Sequence, residues 1–150
     1  MNKTILAYAA GFFDGEGTVG INAQKPNEKN GRTLTMYSLK IDIRNTNKEV
    51  LVWFKKYFKG NIKYYSIEQL RGSTYNPGKP QWRWNVSSNQ AKDFLEAILP
   101  YLIVKRKQAE LAITFQKYRK DLLNKDRLYQ LIEIERREWY KQEISKLNKW

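Results

Sequence analysis

Leu6-Ala7-Tyr8-Ala9-Ala10-Gly11-Phe12-Phe13-Asp14-Gly15-Glu16-Gly17 is an apolar run of mostly small residues that leads into two carboxylates separated by glycines. Alanine and glycine hold no bulk away from the backbone, so a helix made of them can lie close against another. Thr4 to Phe13 reads as that helix, with Thr4 as N-cap, and the acids form its end. Taken alone, Asp14 and Glu16 would be an ordinary helix-ending acidic turn. A calcium loop is excluded, because Val19 and Lys25 stand where such a loop needs Gly and Glu.

Outward from this segment the pattern changes to strands. Thr18 to Gln24 reads as one, followed by a polar turn-forming loop from Lys25 to Arg32. Tyr37 to Arg44 alternates, with Leu39, Ile41 and Ile43 on one side and Ser38, Lys40, Asp42 and Arg44 on the other. Asn47 to Phe58 is an amphipathic helix with a stripe of Val50, Leu51, Phe54 and Phe58, ended by Gly60. Asn61 to Ile67 and Gln81 to Ser87 read as the third and fourth strands, joined by a turn-rich loop from Arg71 to Pro80. In the fourth strand Trp82, Trp84 and Val86 share the face expected to be core. A helix from Asn89 to Leu99, capped by Ser88 or Asn89, stops at Pro100. Val104 to Tyr118 reads as a further helix. Leu128 to Leu147 reads as another, with Leu128, Ile132, Trp139, Ile144 and Leu147 as its apolar face and packing as its expected role. Strand pairs alternating with helices predict an α+β domain with an antiparallel sheet over residues 1–120, and a helical extension over 121–150.

The chain has 150 residues, a net charge of +13, no Cys and no His. That charge favours a polyanionic partner. No apolar stretch is long enough to span a membrane, and the N-terminal run does not read as a signal peptide. Without Cys or His there are no disulfides, thiolate zinc sites or His-based acid–base steps, so any metal must be held by oxygens. The polar sheet face, with Asn22, Gln24, Lys40, Asp42, Arg44, Lys63, Tyr65, Arg83 and Asn85, and Arg71 in the following loop, has the side chains that read base edges and grip phosphates. A polar face is also the default for any one-sided sheet.

Ala9-Ala10-Gly11-Phe12-Phe13-Asp14-Gly15-Glu16-Gly17 resembles the signature of the LAGLIDADG homing endonucleases. It departs from that signature at Ala9, usually Leu, and at Glu16, usually Asp. The helix-strand-strand-helix-strand-strand-helix order is similar to the family's fold over about residues 4 to 118, and Leu99 to Ala109 resembles its late basic segment. Because the motif occurs once, the resemblance implies a homodimer joined through Ala7, Ala10, Gly11 and Asp14, its two sheets forming a saddle over double-stranded DNA. It implies Glu16 and the Gly15 carbonyl as metal ligands, Asn45 as the group orienting a water, and Lys105 as the cation that stabilises the transition state. Magnesium is the implied cofactor, with manganese able to substitute and calcium expected to bind without efficient cleavage. The implied reaction cuts both strands of a long pseudo-palindromic site and leaves short 3′ overhangs. An intron RNA maturase on the same fold, acting on its own intron RNA, and an inactive DNA-binding regulator are the alternatives. Asn45 could equally cap the next helix, and Lys105, beside Arg106 and Lys107, could belong to a solvated basic face. The resemblance further implies an intracellular protein, in the cytoplasm of a prokaryote or archaeon or in an organelle.

Overall fold

The computed structural model describes residues 1–27, 29, 31, 33–70, 79–122 and 127–149. Helix α1 (Lys3–Glu16) leads into strand β1 (Gly17–Gln24), which pairs with β2 (Met36–Asn45). Helix α2 (Lys48–Phe58), β3 (Asn61–Tyr65), the short helix α3 (Ile67–Leu70) and β4 (Gln81–Ser87) follow. The chain continues through α4 (Ser88–Ile98), a 3-10 turn (Leu99–Tyr101), α5 (Arg106–Leu122), α6 (Arg127–Ile132) and α7 (Ile134–Leu147). The strands form one antiparallel sheet in the order β1-β2-β4-β3. No helix among the described residues is long and apolar enough to cross a membrane.

The alternation expected in β2 is present: Leu39, Ile41 and Ile43 are buried, and the register sets Val19, Ile41 and Val86 side by side across three strands. Against this face pack Phe13, Phe54, Phe94, Leu95 and Phe115 from the helices. Trp84 lies 5.2 Å from Phe54 and 5.3 Å from Phe94, ring to ring, and its indole N–H donates to the Lys59 carbonyl at 2.7 Å. Trp82 is only partly buried, against Tyr64 and under the Lys48 ammonium. Helix α2 ends where Lys59 and Gly60 take positive φ of 62° and 85°, and a side chain at Gly60 would strike the Asn85 carbonyl.

Several boundaries differ from expectation. The N-cap of α1 is Asn2, whose side chain accepts from the Thr4 N–H, and the helix runs on through both acids to Glu16. Ser87, without a side-chain cap bond, precedes α4. The largest change is at the C-terminal end. The expected single helix is broken at Glu133, whose carboxylate takes the Tyr118 hydroxyl. Leu128, Ile132 and Trp139 are 69%, 67% and 50% exposed, while α7 buries Arg137, Tyr140 and Ile144. At about 100° per residue the first three share one side of the helix and the last three the opposite side, so the expected apolar face joined residues of two faces. With its buried residues α7 packs on the core, as a packing element, tied to the sheet by the Tyr37 hydroxyl donating to Glu138 at 2.9 Å. Asn148 donates to the Val19 carbonyl at 2.7 Å, occupying the outer edge of β1.

Candidate functional site

The last turn of α1 carries the acids because the helix does not stop before them. Its inner face (Ala9, Ala10 and Phe13) is fully buried in the chain's own core. Its outer face, with Ala7, Gly11 and Gly15, is exposed, and a Cβ added at Gly11 or Gly15 would meet nothing within 4 Å. Ala10 therefore does not belong to the outward face on which the sequence reading placed it; at 0% exposure it packs inward. Gly15 makes no tight turn, since it is helical. Gly17 is the constrained glycine: a Cβ there would lie 2.6 Å from the Phe13 carbonyl and would run into the Phe13 ring.

Asp14 and Glu16 have separate surroundings. The Asp14 carboxylate accepts from the backbone N–H groups of Ile103 at 2.8 Å, Val104 at 3.2 Å and Lys105 at 2.9 Å. It thus fastens the segment that starts α5 onto the end of α1. Lys105 closes the same junction, its ammonium donating to the Asp14 carbonyl. Burial pushes the Lys105 pKa down, against the opposing pull of the Asp14 and Glu16 charges. Lys105 is thus half-buried beside the acids, while Arg106 turns back onto the carbonyls of Leu102 and Pro100. Glu16 is exposed.

Glu16 opens onto a cleft of about 450 Å3, shared with Thr18, Asp42, Arg44, Asn45, Thr46 and Gln81. The end of α1, the end of β2 and the start of β4 meet there. Asn45 reaches this cleft, but its side-chain oxygen accepts from the Asn47 N–H at 2.8 Å, and Asn47 in turn caps α2. Asn45 therefore has a local structural role at the same time. Thr18, Thr46 and Gln81 are not among the site residues expected from the sequence. Thr18 and Gln81 share the outward parity of Asp42 and Arg83, a signal visible in the alternation once the strand register is known. Gln81 is buried with its side-chain oxygen unpartnered among the described residues.

The polar face of the sheet extends from this cleft. The register aligns Arg44, Arg83 and Lys63 in one row and Thr18, Asp42, Asn85 and Asn61 in the next. Asn22, Gln24, Arg44 and Lys63 are exposed, whereas Lys40, Asp42, Tyr65, Arg83 and Asn85 are half-buried. Asp42 lies 3.4 Å from both the Lys40 ammonium and the Arg83 guanidinium. Arg83 also lies over the Tyr65 ring at 4.9 Å, and Lys63 over the same ring at 5.1 Å. Asp42 thus holds two cations in place within the sheet. Arg71 lies outside the described residues.

The family model described as LAGLIDADG endonuclease matches residues 9–118. Solved structures of homing endonucleases share the fold. I-CvuI, in complex with a DNA target in the presence of magnesium, aligns with a TM-score of 0.72 at 19% identity, over 99% of this chain and 84% of that one. The archaeal intron-encoded I-Vdi141I, complexed with DNA, aligns with a TM-score of 0.68 at 20% identity, over 96% of this chain and 84% of that one. The group I intron-encoded I-CeuI, also complexed with DNA, gives 0.61 at 17% identity, over 89% of this chain and 63% of that one. No curated protein sequence matches the chain.

Proposed function

Because the chain belongs to the LAGLIDADG endonuclease family and is a DNA-hydrolysing nuclease, we propose that it is a divalent-metal-dependent, site-specific homing endonuclease acting as a homodimer. Its substrate is a long pseudo-palindromic duplex, cut in both strands to leave short 3′ overhangs. The observation that carries this reading is the exposed Glu16 carboxylate at the end of a small-faced helix, beside the half-buried Lys105 and above a polar cleft.

Among the described residues no group of three acidic side chains gathers to hold a metal. One chain offers Glu16 and the carbonyls ending α1. Of these, the Phe13 carbonyl takes the Gly17 N–H and the Asp14 carbonyl takes the Lys105 ammonium, while the Gly15 carbonyl adjoins Glu16 in the last turn, where helix carbonyls lose their intrahelical partners. These hard oxygen donors suit magnesium, manganese or calcium, and they amount to half a ligand set. The thin outer face at Ala7, Gly11 and Gly15 supports the approach of a second α1, which would bring a second Glu16. When bound, a divalent ion supplies charge neutralisation at the phosphoryl oxygens and a more acidic attacking water.

The chain's own groups do the rest. Lys105, its ammonium fixed by the Asp14 carbonyl, is a preorganised cation close to where negative charge develops. Asn45 has an amide group at the cleft wall to orient water. The cations of the sheet face supply phosphate and base contacts, and Asp42 keeps Lys40 and Arg83 from collapsing elsewhere. The test is incubation with a duplex library spanning candidate insertion sites, with magnesium or with EDTA. Cleavage of both strands in magnesium only is the expected outcome; absence of metal-dependent cleavage on every member overturns the reading.

A further inference from the structure

Beside the junction of Asp14 with the 103–105 segment lies a second, smaller hollow of about 230 Å3, lined by Val104, Lys107, Gln108, Lys146, Leu147 and Lys149. It forms where the first turn of α5 meets the last turn of α7. The joint is built: Gln108 is buried and donates through its amide to the Leu147 carbonyl at 2.9 Å. Lys107, Lys146 and Lys149 are all exposed at its rim, and among the described residues no carboxylate lines it. Glu143 lies 2.6 Å from the Lys146 ammonium. Lys107 and Lys149 add two further ammonium groups at the rim, and a bound anion would meet positive charge on both sides of the hollow.

The position says which anion. The Val104 wall is held by Asp14 through its backbone N–H, two residues from Glu16 in sequence. On the other side, Asn148 between Leu147 and Lys149 is bonded to β1 at Val19, beside Thr18 of the cleft. The hollow therefore lies at the outer edge of β1, near the start of the strand that carries Thr18 of the cleft. Lys146 and Lys149 lie beyond the residues that the family model matches.

We propose that this hollow holds a backbone phosphate of the DNA duplex, and that the end of α7 is thereby part of the DNA-binding surface. The proposal rests on the nuclease reading. Such a contact carries no base information; it sets register and adds salt-sensitive affinity. A free phosphate ion has the same chemistry, so the test separates the two sources.

The experiment measures the affinity of the full chain for a mixed-sequence DNA duplex, in calcium, across a salt series. The Lys107→Ala/Lys146→Ala/Lys149→Ala variant should show a shallower log–log salt slope, by about 0.9 for each chain that loses one phosphate contact. The corresponding triple Arg variant should keep the wild-type slope. An unchanged slope in the Ala variant overturns the proposal. Amine acylation of the wild-type chain gives a readout free of folding effects: the duplex should protect these lysines, and inorganic phosphate alone should not. Equal protection by inorganic phosphate makes the hollow a free-anion site and also overturns the proposal. If wild type binds no duplex, the nuclease reading fails first, and this one with it.

Discussion

Helices α1 and α7 both end against β1, and they end by opposite electrostatic rules. Helix α7 places Lys146 in its last turn, where the negative end of the helix dipole favours a cation. Helix α1 places Asp14 and Glu16 there, where the dipole disfavours them by about 0.3–1 kcal/mol each. Asp14 is compensated by three backbone N–H groups. Glu16 has no hydrogen bond or ion pair of its own among the described residues. Glu16 thus stays unbonded on a helix end whose dipole disfavours it, with the Lys105 charge nearby, and this is where the proposed metal site lies.

The contrast can be broken first at the packing of α7. Ile144→Ala removes a fully buried side chain and should cost about 3 kcal/mol in chemical denaturation, whereas Trp139→Ser, on the exposed side, should stay within about 0.5 kcal/mol. Similar losses for both would mean that α7 packs in the phase first expected from its sequence. Asp14→Ala comes next: three N–H groups lose a charged acceptor, and a loss of about 2–3 kcal/mol is expected by the same measurement. A variant as stable as wild type would show that the α1–α5 junction does not depend on this carboxylate.

Lys105→Met sharpens the chemical side. It should slow cleavage about 100-fold, read by single-turnover kinetics. Burial lowers the Lys105 pKa, so between its folded value and the ordinary lysine value the unfolded chain binds more protons. The contribution of this residue to stability therefore rises with pH through that window. Cleavage, which in the proposed mechanism uses the charged form, should fall in the same window, below the ordinary lysine range, and this alkaline limb should vanish in the variant. A wild-type rate that is flat there would remove the charged lysine from the mechanism. The smallest effect belongs to Tyr37→Phe, about 1 kcal/mol by denaturation, from losing the bond to Glu138. Burial and Glu138 raise the Tyr37 pKa to about 12, so its contribution holds below pH 10 and is lost as pH rises toward that value; the variant should lack this alkaline decline.

The sheet was legible because its period is two and one face is buried: Leu39, Ile41 and Ile43 mark it without further information. The end of the chain was not, because Leu128, Ile132 and Trp139 fall on one side of a helix and Ile144 on the other at about 100° per residue, and only the packed core shows which side is buried. Glu16 and Lys105 stood out by motif and by resemblance. The bonds from Asp14 to Ile103, Val104 and Lys105 join residues about ninety positions apart, which no local pattern encodes. Ala10 was misplaced for a related reason. A small residue suits a close contact on either side of a helix, and only the packed core shows which side is already taken.

Glu16→Gln tests most directly whether the end of α1 sacrifices stability for chemistry. Its thermal unfolding, DNA affinity in calcium and cleavage in magnesium should be measured on one preparation. The account predicts a melting temperature equal to or above wild type, retained binding, and cleavage lower by about 1,000-fold, or about 4 kcal/mol of transition-state stabilisation. A destabilised variant that still cuts at the wild-type rate would contradict it.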